Sequence, residues 1–175
     1  MARLESLSFS GAFLQRGFWL YVWEVTAGDG RTVLYVGRTG DSASANAQSP
    51  FTRFSQHLST NTHANALRRQ LLAAGIDPIA CRSFEMTAYG PILPEAETMA
   101  DHVPRRDQIA AMEKALRDAL HAAGYIVLNE VHSLHNADAL LWQDACNAFA
   151  SRFPKLRPRT ELYTRETMRS QSSLY

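Results

Sequence analysis

Residues 18–36 read FWLYVWEVTAGDGRTVLYV, and this stretch decides the fold. Aromatic and β-branched residues on both sides of the turn-rich segment 26–30 predict two antiparallel strands joined as a hairpin. If the loop consists of residues 26–30, Tyr21 comes directly opposite Tyr35 on one face of the sheet. A loop one residue shorter or longer would break that pairing.

The segment after the hairpin contains a helix start signal. Ser49 followed by Pro50 is typical of an N-cap with proline in the first turn, and predicts a helix that runs to about residue 60. Its predicted apolar stripe consists of Phe51, Phe54 and Leu58. Arg53 and His57 are four residues apart, so they share a neighbouring face of the same helix.

Residues 63–106 are expected to complete a small antiparallel sheet. A second helix is predicted over residues 63–74, with its inward leucines at positions 67, 71 and 72. Residues 79–87 resemble a third strand that completes the antiparallel sheet. Residues 89–106 contain three prolines and several acidic or histidine side chains, and are interpreted mainly as an inserted loop.

An acidic residue interrupts the apolar face of the helix predicted over residues 107–123. The apolar side chains of that face are Ile109, Met112, Leu116 and Leu120. Glu113 falls within or at the edge of this stripe. Burying a lone ionised carboxylate is costly, so Glu113 is expected to be paired, neutralised or bound to a cation. In the pairing interpretation, Arg53 or Arg117 would be its partner.

The C-terminal region differs from the rest of the chain in charge. A last helix is predicted over residues 138–150, with Leu140, Leu141 and Phe149 facing inward. Residues 152–175 carry six basic and two acidic side chains, whereas the residues before them have a net charge of −3. This basic tail is a candidate contact for the DNA backbone, and a solvated or partner-binding tail is the alternative.

Composition narrows the class of protein. The chain has 175 residues, of which 46% are hydrophobic and 20% charged, as is usual for a globular domain and unlike a disordered chain. No apolar run approaches the roughly 20 residues that a membrane-spanning helix needs. The N-terminal residues lack the apolar core of a signal peptide, so we expect a cytoplasmic protein.

Five separated elements occur in the order typical of one enzyme family. In chain order they are WLY at 19–21, YVG at 35–37, Arg53 with His57, Glu113, and Asn129. This order resembles the GIY-YIG nuclease family over roughly residues 17–130, and agreement of several elements is more specific than any one of them. The first tripeptide keeps only its tyrosine. The segments 40–50 and 89–106 are longer than in minimal members, as in restriction-enzyme-like relatives.

The resemblance implies an α/β (α+β) fold of the GIY-YIG type, with a small antiparallel β-sheet flanked by helices. Residues 1–16 would form an N-terminal extension. The catalytic domain would cover residues 17–131 and include the insertion at 89–106. Residues 132–175 would add a C-terminal helix and the basic tail, packed on the same domain or extending from it.

The resemblance also implies a role for each matching side chain. Tyr21 would orient or deprotonate the attacking water, and Tyr35 would hydrogen-bond the phosphate or that water. Arg53 and Arg38 would hold the phosphate and lower the pKa of Tyr21, because an unperturbed tyrosine titrates near pH ~10. Glu113 would bind Mg²⁺, with Mn²⁺ as a substitute.

Three further residues are implied in support of the site. His57 would assist catalysis, whereas Gly37 and Asn129 would support the structure. Each residue alone has an ordinary explanation, because tyrosines in hairpins usually pack and an arginine on a helix is usually solvated or salt-bridged. The functional interpretation therefore depends on the set rather than on any member.

The function implied by the resemblance is that of a metal-dependent endonuclease that hydrolyses phosphodiester bonds in DNA. One alternative is a non-cleaving module that binds nucleic acid or protein on the same scaffold. Another is a toxin or defence nuclease of broad specificity. DNA is the expected partner, and cutting of a palindromic site would favour a homodimer.

Overall fold

The described residues of the computed structural model are 2, 4–41, 44–61 and 65–156. Within them, a three-stranded antiparallel sheet packs with four α-helices, which confirms the mixed α and β class. The strands are β1 (Phe18–Thr26), β2 (Thr32–Arg38) and β3 (Ser83–Leu93); the helices are α1 (Pro50–His57), α2 (Ala66–Ala73), α3 (Met99–Ala122) and α4 (Ala139–Ala150).

β1 is the central strand, and it pairs antiparallel with β2 on one side and β3 on the other. Tyr21 pairs with Gly37 and Trp23 pairs with Tyr35, so the predicted direct pairing of Tyr21 with Tyr35 is wrong. Paired residues share a face, and so do residues two apart on one strand. The two tyrosines therefore still lie on one face, as diagonal neighbours.

The register differs because the hairpin loop lies one residue later than predicted. Thr26 pairs with Thr32, so Thr26 belongs to the ladder rather than to the loop. The Ala27 amide donates to the Arg31 carbonyl at 2.8 Å and closes the turn. Gly30 has a φ of +91°, which glycine adopts without the steric penalty of a Cβ.

α1 and α2 form where the sequence predicts them, with shorter ends. The Ser49 side chain accepts from the Thr52 amide, which confirms the N-cap. Leu67 and Leu71 are fully buried, as predicted. The inward placement of Leu72 and Phe51 is wrong, because both are exposed; the Phe51 ring packs instead on Phe9, with ring centroids 4.9 Å apart. The predicted start of the second helix at residue 63 lies outside the described residues.

The interpretation of residues 89–106 as an inserted loop is wrong. β3 and α3 take up most of this segment, and only residues 94–98 connect them. Pro91 is tolerated because β3 lies at the sheet edge, where a missing amide donor need not interrupt a ladder. Pro104 lies inside α3, where it removes one helical hydrogen bond while the helix continues. The third strand was predicted over residues 79–87, whereas β3 covers Ser83–Leu93 in the structure.

The two faces of β1 belong to two different hydrophobic clusters. Phe18, Leu20 and Val22 face the first cluster, which includes the buried side chains of α3 and α4. Tyr21 and Trp23 face the second cluster, which contains Leu67 and Leu71 of α2. Because β1 is covered on both faces, its sequence is apolar at nearly every position.

The apolar stripe predicted for α3 is confirmed. Ile109, Met112, Leu116 and Leu120 have no exposed surface. On α4, Phe149 is buried as predicted, but Leu140 is 75% exposed, so its predicted inward placement is wrong. Leu140 lies in the first turn, where the side chain of the N-cap Asp138 accepts from the amides of Leu140 and Leu141.

A later segment of the chain runs along the outer edge of β2. The Leu34 amide donates to the Ile126 carbonyl at 2.7 Å, and the Leu128 amide donates to the Leu34 carbonyl at 2.8 Å. The Asn129 side chain accepts from the Val36 amide at 3.0 Å and donates to the Val36 carbonyl at 2.8 Å. This segment satisfies backbone groups of β2 that would otherwise face outward.

The C-terminal tail is described only in part. Arg152 contacts two carboxylates of the sheet, Glu24 at 2.5 Å and Glu85 at 2.7 Å. The predicted DNA contact by the basic tail falls mainly on residues 157–175, which lie outside the described residues. Across the described ranges, no helix has both the length and the apolar character needed to cross a membrane.

Candidate active site

One open cleft of about 320 Å³ brings the matching residues together. Its walls include Tyr21, Tyr35, Gly37, Arg38, Arg53, Glu113 and Asn129. The remaining predicted site residue, His57, does not line the cleft but contacts Tyr21 from within the core. Side chains from β1, β2, α1 and α3 therefore converge although they lie far apart in the sequence.

Tyr21 and His57 form a buried polar pair beneath the cleft. The Tyr21 hydroxyl lies 2.6 Å from His57 Nε2, and both residues are at most 5% exposed. Burial lowers the pKa of His57 to about 3, and the positive charge of Arg53 acts in the same direction. The imidazole is therefore neutral near pH ~7, and we infer that Nε2 accepts the tyrosine proton.

The pKa values of Tyr21 and Tyr35 are raised, whereas the sequence led us to expect a lowered pKa for Tyr21. Burial raises the pKa of Tyr21 above its ordinary value, and the nearby charge of Arg53 opposes this rise without overcoming it. Burial also raises the pKa of Tyr35, with a further contribution from the negative charge of Glu113. Both phenols therefore keep their protons at neutral pH, so the expected lowering of the Tyr21 pKa is not found.

Aromatic rings surround His57 and fix its orientation. The imidazole centroid lies 5.4 Å from the ring of Tyr21, 5.1 Å from that of Tyr35 and 6.4 Å from that of Trp23. All three arrangements are edge-on, which aromatic rings prefer over a stacked sandwich. His57 therefore links the two tyrosines, a contact that the pattern of Arg53 and His57 on one helix did not reveal.

Gly37 leaves room for the Tyr21 ring. A Cβ added at this position would lie 2.5 Å from the Tyr21 hydroxyl oxygen, far inside van der Waals contact. The pairing of Gly37 with Tyr21 across the hairpin places the ring there. Glycine thus permits the close approach of an aromatic ring to the strand backbone.

Glu113 is paired with a residue that differs from the expected partners. Arg38 Nε donates to Glu113 Oε2 at 2.8 Å, and the two side chains are 18% and 14% exposed. The expected pairing with Arg53 or Arg117 is therefore wrong; Arg117 contacts Glu130 instead. Burial raises the pKa of Glu113 to about 7, and the positive charge of Arg38 opposes that rise.

Arg53 is paired with Asp41, a residue that sequence reasoning missed. Arg53 Nη2 donates to Asp41 Oδ2, and Nη1 donates to Gln56 Oε1 at 3.3 Å. Asp41 directly follows Gly40, which has a φ of +78° and turns the chain out of β2. Two ion pairs thus place alternating positive and negative charge along the cleft. A single aspartate in a small polar loop gives no pattern from which this could be predicted.

Comparison of the chain with protein-family models, with curated proteins and with solved structures found no match. The family resemblance therefore depends on the residues of this chain alone. What can be argued about function comes from the geometry and charge of the cleft.

Three acidic residues, Asp41, Glu113 and Glu130, line the cleft. No group of three histidine, cysteine or acidic side chains that could hold a metal occurs in the described part of the chain. Mg²⁺ in phosphoryl-transfer sites is usually bound by one or two carboxylates together with water and substrate phosphate. Glu113, which is paired with Arg38, would supply one such carboxylate.

The cleft also includes side chains that the sequence analysis did not select. Arg69 and Gln70 of α2 line one part of it, and Glu130 and His132 line another. The consecutive basic and polar residues at 68–70 could have indicated a contact surface. That helix was predicted only from its leucines, however, so the sequence did not show whether residues 68–70 face the tyrosines.

Proposed function

We propose that this chain is an endonuclease of the GIY-YIG type that hydrolyses phosphodiester bonds in DNA with a bound Mg²⁺ ion. The observation that carries the proposal is that Tyr21, Tyr35, Arg53 and Glu113 line one cleft. They are four of the residues to which the resemblance assigns chemistry. Shared order in a sequence does not require them to meet, so their convergence supports the assignment.

The arginines of the cleft suit a phosphate substrate. A guanidinium group binds phosphate oxygens through two parallel hydrogen bonds and stabilises charge that develops on them. Arg53 would exchange the Asp41 carboxylate for a substrate phosphate, since both are oxygen anions. Arg38 would leave Glu113 in the same way when a metal ion binds that carboxylate.

Tyr21 is arranged to hold a water molecule. Because its hydroxyl proton is directed to His57 Nε2, the phenol oxygen can accept hydrogen bonds, and a water molecule in the cleft would share that oxygen with Arg53. Tyr35, whose ring contacts the same histidine, would donate to the phosphate or to that water. Neither role requires a tyrosine that is ionised in the resting protein.

Glu113 supplies the negative charge that a cation needs. A Mg²⁺ ion held there would polarise the phosphoryl oxygens and stabilise the leaving oxygen. The partly buried position strengthens the interaction of the carboxylate with any cation that enters, because screening by water is reduced. In the structure, the positive charge next to Glu113 is that of the Arg38 guanidinium group.

The test is incubation of purified protein with supercoiled plasmid, with Mg²⁺ and with chelator. We expect nicked or linear product only with Mg²⁺, and none from the Glu113→Gln variant, which removes the ionisable ligand. Glu97→Gln, which makes the same substitution at an exposed residue outside the cleft, serves as the matched control and should cut like the wild type.

The outcomes separate the proposal from its alternatives. Full activity of a folded Glu113→Gln protein would exclude the metal role. Absence of cutting by the wild type on duplex, branched and single-stranded substrates, with binding retained, would favour a non-cleaving module on the same scaffold. Cleavage of both DNA and RNA without preference, with toxicity on expression that Glu113→Ala relieves, would favour a broad-specificity toxin or defence nuclease.

A further inference from the structure

One arginine of the cleft lacks the internal partner that the others have. Among the cleft-lining residues that the structure describes, Arg38 pairs with Glu113 and Arg53 pairs with Asp41. Arg69 also lines the cleft, yet its side chain makes no hydrogen bond or ion pair with a described residue. In the described part of the chain, no carboxylate would therefore have to be displaced from Arg69 by a ligand.

The helix α2 holds Arg69 in a fixed direction. Leu67 and Leu71 have no exposed surface and anchor the helix in the cluster that also contains Tyr21. At about 100° for each residue of an α-helix, Arg69 lies about 200° around the axis from Leu67. The side chain is exposed on the opposite side of an anchored helix, where it borders the cleft.

The charge of Arg69 acts on Tyr35, as do the charges of Arg53 and Glu113. It opposes the rise in the pKa of Tyr35, alongside Arg53. The adjacent Gln70 lines the cleft as well and adds a neutral donor and acceptor. A nucleic acid strand carries a phosphate at every nucleotide, so a second positive group beside the reacting phosphate meets a neighbouring one.

We propose that Arg69 binds a backbone phosphate that flanks the phosphate held by Arg53. The assignment rests on the proposed nuclease function, and it extends the substrate contact from α1 to α2. Guanidinium groups favour bidentate phosphate contacts, so charge and geometry both contribute. The ligand class is a nucleic acid strand rather than an isolated phosphate ion, because Arg53 and Arg69 would hold successive phosphates.

Arg68 provides a matched control on the same helix. It has the same charge, lies one residue away and makes no ion pair with a described residue, but it does not line the cleft. Substitution of either arginine by alanine changes the net charge equally. A difference between the two variants therefore reports the position of the side chain and not the overall charge.

The experiment measures binding of a fluorescent DNA duplex over a range of salt concentrations, first with chelator and then with Ca²⁺ in place of Mg²⁺. We expect Arg69→Ala to weaken binding about tenfold and to reduce the slope of log affinity against log salt by about 0.9, the value for one phosphate contact. Arg68→Ala should keep the wild-type slope. Arg69→Lys should keep the slope and lose part of the affinity.

Equal effects of Arg69→Ala and Arg68→Ala would overturn the proposal, because they would reflect charge alone. Absence of wild-type binding under both conditions would overturn it too. The proposed function can fail separately. If the wild type binds DNA but does not cut it, and only Arg69→Ala changes the slope, the phosphate contact is supported and the nuclease assignment is excluded. Circular dichroism of each variant verifies the fold.

Discussion

At Glu113, burial and a neighbouring charge act on one carboxyl group in opposite directions. Burial raises its pKa, Arg38 lowers it, and the result is a pKa of about 7 rather than an ordinary value near 4.5. A protonated carboxyl group is a poor ligand for a hard cation. Under the proposed function, protons and Mg²⁺ would therefore compete for Glu113 close to neutral pH.

This competition predicts how the metal requirement changes with pH. Below about pH 7, the Mg²⁺ concentration needed for half-maximal cleavage should rise, by up to about tenfold for each pH unit, because the carboxyl group must lose a proton before it binds. Above about pH 8 the requirement should level off, since the group is then ionised. Cleavage rates over a Mg²⁺ series at several pH values measure the effect.

Binding of DNA with chelator at the same pH values is the control, since it separates proton effects on the metal from those on the substrate. A half-maximal Mg²⁺ concentration that is constant between about pH 5.5 and pH 8 would contradict the assignment of Glu113 as the ligand.

The site residues were predictable to different degrees. Tyr21 and Tyr35 lie on one face as predicted, because the partner of Tyr21 on β2 differs from the predicted one by two residues, and residues two apart on a strand share a face. The ion pairs of the cleft were not predictable, because Arg38 and Glu113 are brought together by the packing of α3 on the sheet. The raised pKa of Tyr21 follows from complete burial, which sequence composition does not reveal.

At the level of elements, the hairpin of β1 and β2 determines where the Tyr21 hydroxyl lies. The ring crosses the backbone of β2 at Gly37 and reaches His57 on α1. Tyr21 is 1% exposed, so its ring has no open space into which to move. The strand pairing and the helix thus position one oxygen atom jointly.

Substitution of Gly37 by alanine should therefore impair catalysis and also lower the free energy of unfolding by about 1–3 kcal/mol, the usual cost of overpacking. The new methyl group would force the Tyr21 ring away from His57, and a displacement of about 1 Å can reduce a rate by as much as about 100-fold. Gly11→Ala is the matched control, because a Cβ at Gly11 meets no atom within 4 Å. Cleavage rates at saturating Mg²⁺, with thermal unfolding as the measure of folding, test this.

Equal cleavage by the two variants would show that the Tyr21 position is not critical. A loss of stability well beyond about 3 kcal/mol in Gly37→Ala would instead mean that the glycine serves the sheet as a whole. In that case, cleavage measured well below the unfolding temperature would decide whether the remaining folded protein is active.

Element boundaries were least predictable where polar residues occupy buried positions. The first two turns of α3 include His102, which is fully buried and lies 3.1 Å through Nδ1 from the Ala45 carbonyl. A search for apolar periodicity does not detect a buried histidine, so the predicted helix began at residue 107. Pro91 and Pro104 also favoured the loop interpretation. In the structure, Pro91 lies in the strand that pairs with β1, and Pro104 lies inside a long helix.

At the level of the whole molecule, Asn129 joins two distant parts of the chain. Its side chain makes two hydrogen bonds to the backbone of Val36, a residue with no exposed surface. A buried backbone group left without a partner costs about 1–3 kcal/mol. The contact therefore contributes to the stability of the sheet edge that carries Tyr35 and Gly37.

Asn129→Ala is expected to lower the free energy of unfolding by about 2 kcal/mol or more, because both groups of Val36 lose their partner. Asn136→Ala, at an exposed position, makes the same substitution and should change stability by less than about 0.5 kcal/mol. Urea unfolding curves of the two variants provide the comparison. Coincident midpoints would mean that water replaces the asparagine at no cost.

Residues 126–129 bond to the outer edge of β2, and this contact also affects the order in which a growing chain can fold. On the ribosome, the tyrosines and Arg53 are made first, Glu113 follows 60 residues after Arg53, and Asn129 completes the edge only after Glu113 has been added. A nascent chain therefore has its arginines and tyrosines before it has the carboxylate. If the chain cleaves DNA as proposed, prematurely terminated products that end before Glu113 are expected to leave the DNA of the cell intact.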